Sequence, residues 1–137
     1  MKWKRAVTLS SFVPVATGTL KIFGSQGHIA YPHLSNNPIS TLIKICNTLK
    51  KKPLDKGNRN FQPSNLEFTS IDVNNNAHNV IPATAIAKFN IRFNNLQTTS
   101  SLRKKISRIV STTCKKNKCV NWFKFSFRKR FVYIDCE

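Results

Sequence analysis

Acidic residues are nearly missing from this chain. Asp55, Glu67, Asp72, Asp135 and Glu137 stand against 23 Lys and Arg in 137 residues, giving a formal net charge of +18. Carboxylate-pair glycosidases and two-metal hydrolases need acids held close together. Only Asp135 and Glu137 are neighbours, so no metal ligand is expected from the chain's own residues. Long apolar runs are absent as well: nothing approaches the roughly 18 residues that suggest a membrane-spanning helix, and no membrane partner is expected. C-x-x-C does not occur among Cys46, Cys114, Cys119 and Cys136. The step from Cys114 to Cys119 is too wide for a zinc knuckle, which leaves free thiols of a reducing compartment and a cytoplasmic location as the expectation.

Forty per cent apolar residues, ten Phe among them, argue against disorder despite the charge. A chain of this length can bury a core of its own and forms one domain. The first residues, MKWKRAVTLSSFVPVATG, imitate a secretory leader. Ser10 and Ser11 interrupt its apolar stretch and Pro14 spoils the cleavage site, so secretion is not expected. The charge would attract polyanions non-specifically. A solvated Lys-rich surface written in A/T-rich codons, with Asn, Ile and Phe also abundant, accounts for the same composition.

Periodicity orders the middle of the chain. GTLKIFG (18–24) reads as a strand between two glycines, and SQGHIAYPHLSNNP as a loop too rich in turn formers to continue it. Asn36 or Asn37 can cap a helix with Pro38 in its first turn. Ile39, Leu42, Ile43, Cys46 and Leu49 would form its buried stripe, and Lys50-Lys51-Lys52-Pro53 its end. SNLEFTSIDV (64–73) is a second strand. In 84–94, Ala85, Ala87, Phe89, Ile91 and Phe93 alternate with polar Lys88, Asn90, Arg92 and Asn94, as in a half-buried antiparallel strand. Thr98 or Thr99 caps a second helix with Leu102, Ile106, Ile109 and Val110 on one stripe. Phe123, Phe125 and Phe127 alternate in a last strand. The order β-α-β-β-α-β predicts an α+β, ferredoxin-like sandwich, a four-stranded antiparallel sheet with both helices on one face.

Two stretches carry more than fold. GSQGHIAYPHLSNNPI (24–39) and NAHNVIPATAIAKFNIRF (76–93) together resemble the lid, or dimerisation, domain of the bacterial succinyl-diaminopimelate desuccinylase family within the M20 amidohydrolases. The resemblance covers about residues 17–110. It implies a lid/dimerisation domain at 17–127, between a divergent basic segment (1–16) and a divergent tail (128–137). It further implies hydrolysis of N-succinyl-LL-2,6-diaminopimelate to LL-2,6-diaminopimelate and succinate, in lysine and diaminopimelate biosynthesis. The family's zinc (or cobalt) pair and general-base glutamate belong to a catalytic domain not seen in this sequence, so the chain alone is expected to be inactive.

The resemblance also assigns residues. His28 matches a histidine that reaches across the dimer and donates to the oxyanion in the partner's site. Tyr31, Asn79 and Arg92 match substrate-contacting residues, Arg92 as a bidentate carboxylate grip. His33 matches a loop-fixing position, and His78 stands where the family has Asn. Where the family has a Gly/Ser-containing basic segment, this chain has SSFVPVA (10–16), and FKFSFRKRFVYIDCE leads away from the pattern; a decayed or split gene fragment is the expectation. The lids would pair as a homodimer through a sheet edge, or the chain would complement a separately encoded catalytic domain. The competing class is a basic ferredoxin-like RNA-binding module, for which NWFKFSF (121–127) is the only candidate aromatic string.

Overall fold

The computed structural model describes residues 14–128, with 121–128 as backbone alone. Its elements are β1 (Val15–Phe23), β2 (Gly27–His28), α1 (Pro38–Lys51), β3 (Asn65–Asp72), β4 (Val80–Ile81), β5 (Thr84–Arg92), α2 (Thr99–Lys116) and β6 (Val120–Arg128), with a 3-10 turn at Pro32–Leu34. This is a mixed α+β fold with two helices and antiparallel sheets. One sheet runs β3-β5-β1-β6, and β2 pairs with β4 as a separate two-stranded ribbon. The ribbon joins the two loops that carry the signature stretches, and alternation could not have foreseen it.

Strand alternation builds the main layer. In β1 Ala16, Leu20 and Ile22 are buried, and in β5 Ala85, Ala87, Phe89 and Ile91. Antiparallel register places Leu20 opposite Ala87 and Ile22 opposite Ala85, so both strands turn their apolar sides to one face. The buried stripes of both helices join that face in one core cluster: Leu42, Ile45 and Leu49 from α1, Leu102, Ile106 and Val110 from α2. Opposite faces carry Thr17, Lys88 and Arg92, all exposed.

Capping chemistry sets the helix starts. Asn37 Oδ1 accepts the backbone N–H of Ile39 at 3.0 Å, with Pro38 in the first turn, where its missing N–H costs nothing. Thr98 and Ser101 form a reciprocal capping box at 2.9 and 3.1 Å. The helices run antiparallel: Lys44 in α1 donates to Asn117 just past α2, while Lys105 near the start of α2 donates to Leu54 just past α1.

Two expectations need correction. Ile43 was placed on the buried stripe of α1, but it is 60% exposed, and Thr41 and Ile45 are buried instead. The stripe is narrower than apolar spacing suggests, because α1 rests on a sheet at its side and not in a pocket around it. β1 also begins at Val15, earlier than the Gly18 boundary, because Gly18 lies inside the strand against Phe89. The termini 1–13 and 129–137, with the leader-like start and the divergent tail, lie outside the described residues.

A polar plug closes the end of the core opposite the ribbon. Asp55 Oδ1 accepts the N–H groups of Gly57 and Ser64, each at 3.0 Å, and Nδ2 of Asn94 at 2.8 Å. Gln97 Nε2 donates to Oδ2 at 3.2 Å. Burial pushes this carboxyl up, but the hydrogen bonds from Ser64, Asn94 and Gly57 outweigh it and hold it well below its ordinary 3.8. A depressed folded-state value stabilises the fold above the ordinary value, and that contribution is lost as pH falls through the acid range. Asp55→Ala is expected to cost about 2 kcal/mol at neutral pH, through donors left unpaired around Ser64 and Asn94. The gap between the variants should narrow below about pH 4. Urea titrations at pH 7 and pH 3 check both; a gap that does not narrow in acid would assign the cost to packing instead.

Candidate functional site

The site is assembled where β1 ends and β5 begins. β1 leaves the sheet at Phe23, and Gly24 donates to Ala83 O at 2.8 Å across the β5 entry. A Cβ at Gly24 would meet the Asn36 carbonyl and lie 2.8 Å from Pro38 Cδ, so only glycine lets the loop turn back over the start of α1. Ser25 and Asn36 then exchange backbone hydrogen bonds at 2.9 and 3.2 Å, closing the motif into a compact loop.

The second signature stretch zips onto this loop. Gly27 pairs with Ile81 and His28 with Val80, and Ile29 N–H donates to Asn79 O at 3.1 Å. Asn75 Nδ2 holds Val80 O at 2.9 Å from the other side. His28, Tyr31 and Asn79 are thereby brought to one end of the molecule, and all three are exposed. The rings of His28 and Tyr31 lie 6.1 Å apart, and Tyr31 meets His33 edge-on at 6.5 Å.

His28 has a defined donor. Its Nδ1 accepts the backbone N–H of Ala30 at 3.0 Å, so the neutral ring carries its proton on Nε2. Tyr31 N–H donates to His28 O at 3.0 Å, closing a turn, and Tyr31 O accepts Leu34 N–H at 3.0 Å at the start of the 3-10 turn, which stiffens the mount. The result is an outward N–H on a tight loop, suited to an oxyanion that forms on another molecule.

Arg92 is not part of this cluster. It closes β5 at the end opposite Thr84, paired with Val15 and Asn65. Eight residues of strand separate it from the ribbon end, about 26 Å at 3.3 Å per residue. His78 is exposed in the loop before β4, and His33 sits within the 3-10 turn.

Sequence reasoning missed the residue that ties the site to the helices. Asn36, considered only as a cap, donates through Nδ2 to Asn117 O at 2.9 Å and Lys118 O at 2.7 Å. Its place inside the motif was the one available signal. The three described thiols offer no ready nucleophile: burial pushes Cys46 up to about 11, and Cys114 and Cys119 are buried. Among the described residues no three His, Cys, Asp or Glu side chains come together to hold a metal. The described part of this chain does not fit a metal pair.

A model of the peptidase dimerisation domain matches residues 15–118. A succinyl-diaminopimelate desuccinylase of Pelagibacter ubique is 51% identical over 109 residues, covering 80% of this chain and 28% of that protein. One from Rickettsia felis is 55% identical over 95 residues, with coverage of 69% and 25%. The chain therefore spans about a quarter of the length of these curated relatives. Among solved structures, an aminobenzoyl-glutamate utilization protein from Klebsiella pneumoniae superimposes with a TM-score of 0.73 at 12% identity, over 88% of this chain and 30% of that one.

Proposed function

The chain belongs to the M20 peptidase dimerisation domain family, and from that premise we propose that it is the lid of a succinyl-diaminopimelate desuccinylase. The observation that carries this reading is the β2–β4 ribbon, which sets His28, Tyr31 and Asn79 on one exposed end. In this reading the reaction is hydrolysis of N-succinyl-LL-2,6-diaminopimelate to diaminopimelate and succinate. Metal binding, by zinc or cobalt, falls to a catalytic domain outside the matched segment. The chain by itself then has a partial site and no turnover, and works in the cytoplasm with its enzyme.

The lid's own chemistry follows from where its donors sit. Attack on the succinyl amide builds negative charge on the carbonyl oxygen. His28 Nε2–H donates to it while Ala30 keeps the ring from turning. Tyr31 and Asn79 offer a hydroxyl and a carboxamide beside it for the substrate's polar ends. Arg92, about 26 Å away along β5, grips a carboxylate in a different site. That separation supports two shared sites per dimer, each taking His28 from one lid and Arg92 from the other.

A ferredoxin-like sheet that pairs edge to edge supplies the dimer. β3 and β6 are the sheet's outer strands. β3 exposes Thr69 through Asp72, and a bulge between Phe68 and Ser70 shifts its register so that Ile71 pairs with Ala87 on the helix side. Ile71 is 59% exposed there. Ile43, seven residues before Lys50 and so on the same flank of α1, is 60% exposed. Lys50 donates to Leu66 O and Glu67 at 2.8 and 2.7 Å, which places that flank beside β3. A strand edge without a neighbour among the described residues, with two exposed isoleucines next to it, favours self-association. Ile43→Lys with Ile71→Lys is expected to convert a dimer to monomer in sedimentation equilibrium. A dimer unchanged by both charges would move the interface elsewhere.

The direct test is exchange: residues 14–128 replace the lid of the Pelagibacter ubique desuccinylase, and succinate release is measured. Retained hydrolysis supports the reading; a folded, metal-loaded dimer without hydrolysis would sink it. A split pair complementing in trans is the same chemistry in two polypeptides. The sheet-face RNA reading is not favoured: the family and its relatives account for the motifs, and Lys88, Asn90 and Arg92 offer no stacking surface.

A further inference from the structure

The helix layer has a charge pattern that neither the core nor the lid site requires. α1 contributes three Lys and α2 six Lys and Arg, and neither helix contains an Asp or Glu. Amphipathicity demands only polar residues outside, and acids would serve as well as bases. Like charges four apart, such as Lys104 and Arg108, oppose helix formation. The usual remedy, alternating sign on the exposed face, is missing.

The charges are also aligned. With Leu102, Ile106, Val110 and Cys114 buried, the direction pointing farthest from the core holds Lys104, Arg108 and Lys115, all exposed. They span eleven residues, about 16 Å of helix. That length matches about five phosphates of one strand at 3.4 Å of duplex axis each. α1 lies alongside and adds Lys44 and Lys51, both exposed. Lys44 spends one hydrogen bond on Asn117, which carries no charge to neutralise it. The acids of the described residues are occupied or remote: Asp55 sits in the polar plug, Glu67 pairs with Lys50 at 2.7 Å, and Asp72 ends β3.

We propose that the outer face of the α1–α2 layer binds the phosphate backbone of duplex nucleic acid without reading bases. Lys44 and Lys51 extend this row of cations onto the neighbouring helix, and packed helices commonly lie about 8–10 Å apart. No aromatic stacking residue is exposed on this face among the described residues, which suits a duplex better than splayed single strands. Binding would come from counterion release and fall steeply with salt. The face lies across the sheet from Lys88 and Arg92, and the inference does not depend on the lid's catalytic role.

The test uses the full chain and a fluorescent duplex of about 20 base pairs of arbitrary sequence, in about 50 and 150 mM salt. Lys104→Glu with Arg108→Glu is compared with Lys21→Glu with Lys88→Glu, a pair on the open sheet face that leaves the same net charge. The helix pair should weaken binding at least about tenfold more than the sheet pair and lower the salt slope by about two. Equal weakening by both pairs would reduce the effect to net charge and overturn the proposal. So would no binding at about 50 mM salt, or tighter binding to phosphatidylserine vesicles than to duplex. Circular dichroism checks folding, and Lys104→Gln with Arg108→Gln gives the same comparison should the reversal melt α2.

Discussion

His28→Ala in the lid-exchanged desuccinylase is expected to lower kcat by about two to three orders of magnitude while the dimer and its metal content stay unchanged. The size follows from removing one preorganised oxyanion donor, worth about 10²–10³ in rate. In the proposed role the loss falls on the transition state. Nδ1 is held by Ala30 N–H at 3.0 Å, so Nε2 is the only ring donor, and it faces outward. Nothing else in the described loop replaces it, because the Tyr31 ring centroid lies 6.1 Å away. His28→Gln, which keeps an N–H near the same reach, should recover part of the rate. A change confined to KM would assign His28 to substrate positioning instead. Mixed dimers sharpen the point: one subunit with His28→Ala and the other with Arg92→Ala should leave one intact site if the two residues serve a site from opposite lids.

Gly18→Val should be the most damaging single change to the fold. Gly18 lies in the middle of β1 with β5 on one side and β6 on the other. Any Cβ there would enter the ring of Phe89, its direct partner in the antiparallel register. Phe89 is 2% exposed and packs edge-on against Phe68 with centroids 5.8 Å apart, so the ring has nowhere to go. Overpacking a closed core costs about 1–3 kcal/mol, and a branched side chain over a ring belongs at the upper end. At about 3 kcal/mol a domain of this size should lose roughly 10 °C in Tm. Phe89→Leu combined with Gly18→Ala should cost less than the sum of the two single changes, because the smaller side chain vacates the volume the new methyl needs. Additive losses would show that the glycine matters for some reason other than the ring above it.

The Gly18–Phe89 pair shows where reading the chain as a string reaches its limit. Alternation in 84–94 placed Phe89 on the buried face correctly, because a strand's two faces are dictated by a period of two. A glycine in the same chain looked like a strand boundary, and only pairing across the sheet turned it into a seat for an aromatic ring. Ile43 fails for a related reason. Helical spacing says which residues share a side, but what stands beside that side decides whether they are covered. α1 has α2 on one flank and the free β3 edge on the other, so Ile43 stays uncovered.

The site divides in the same way. His28, Tyr31 and Asn79 were legible from two motifs that resemble one family, and the structure brings them to one exposed end. Arg92 belongs to the same motif set yet stands at the far end of β5, which no linear spacing reveals. Asn36 had no separate signal, since its carboxamide acts on Asn117 and Lys118, 81 and 82 residues further along the chain.

By itself the sequence determined which strand faces are apolar, where the two helices begin to within one residue, and to which family the loops belong. Those properties are local: side-chain period, capping groups, and short runs of particular residues. Only the tertiary structure decided that the two motif loops form one ribbon, that Arg92 stands at the far end of β5 from them, and that β3 is an outer strand of the sheet among the described residues. Each of these depends on register between segments far apart in the chain, where hydrogen bonds and close packing across the sheet select one arrangement.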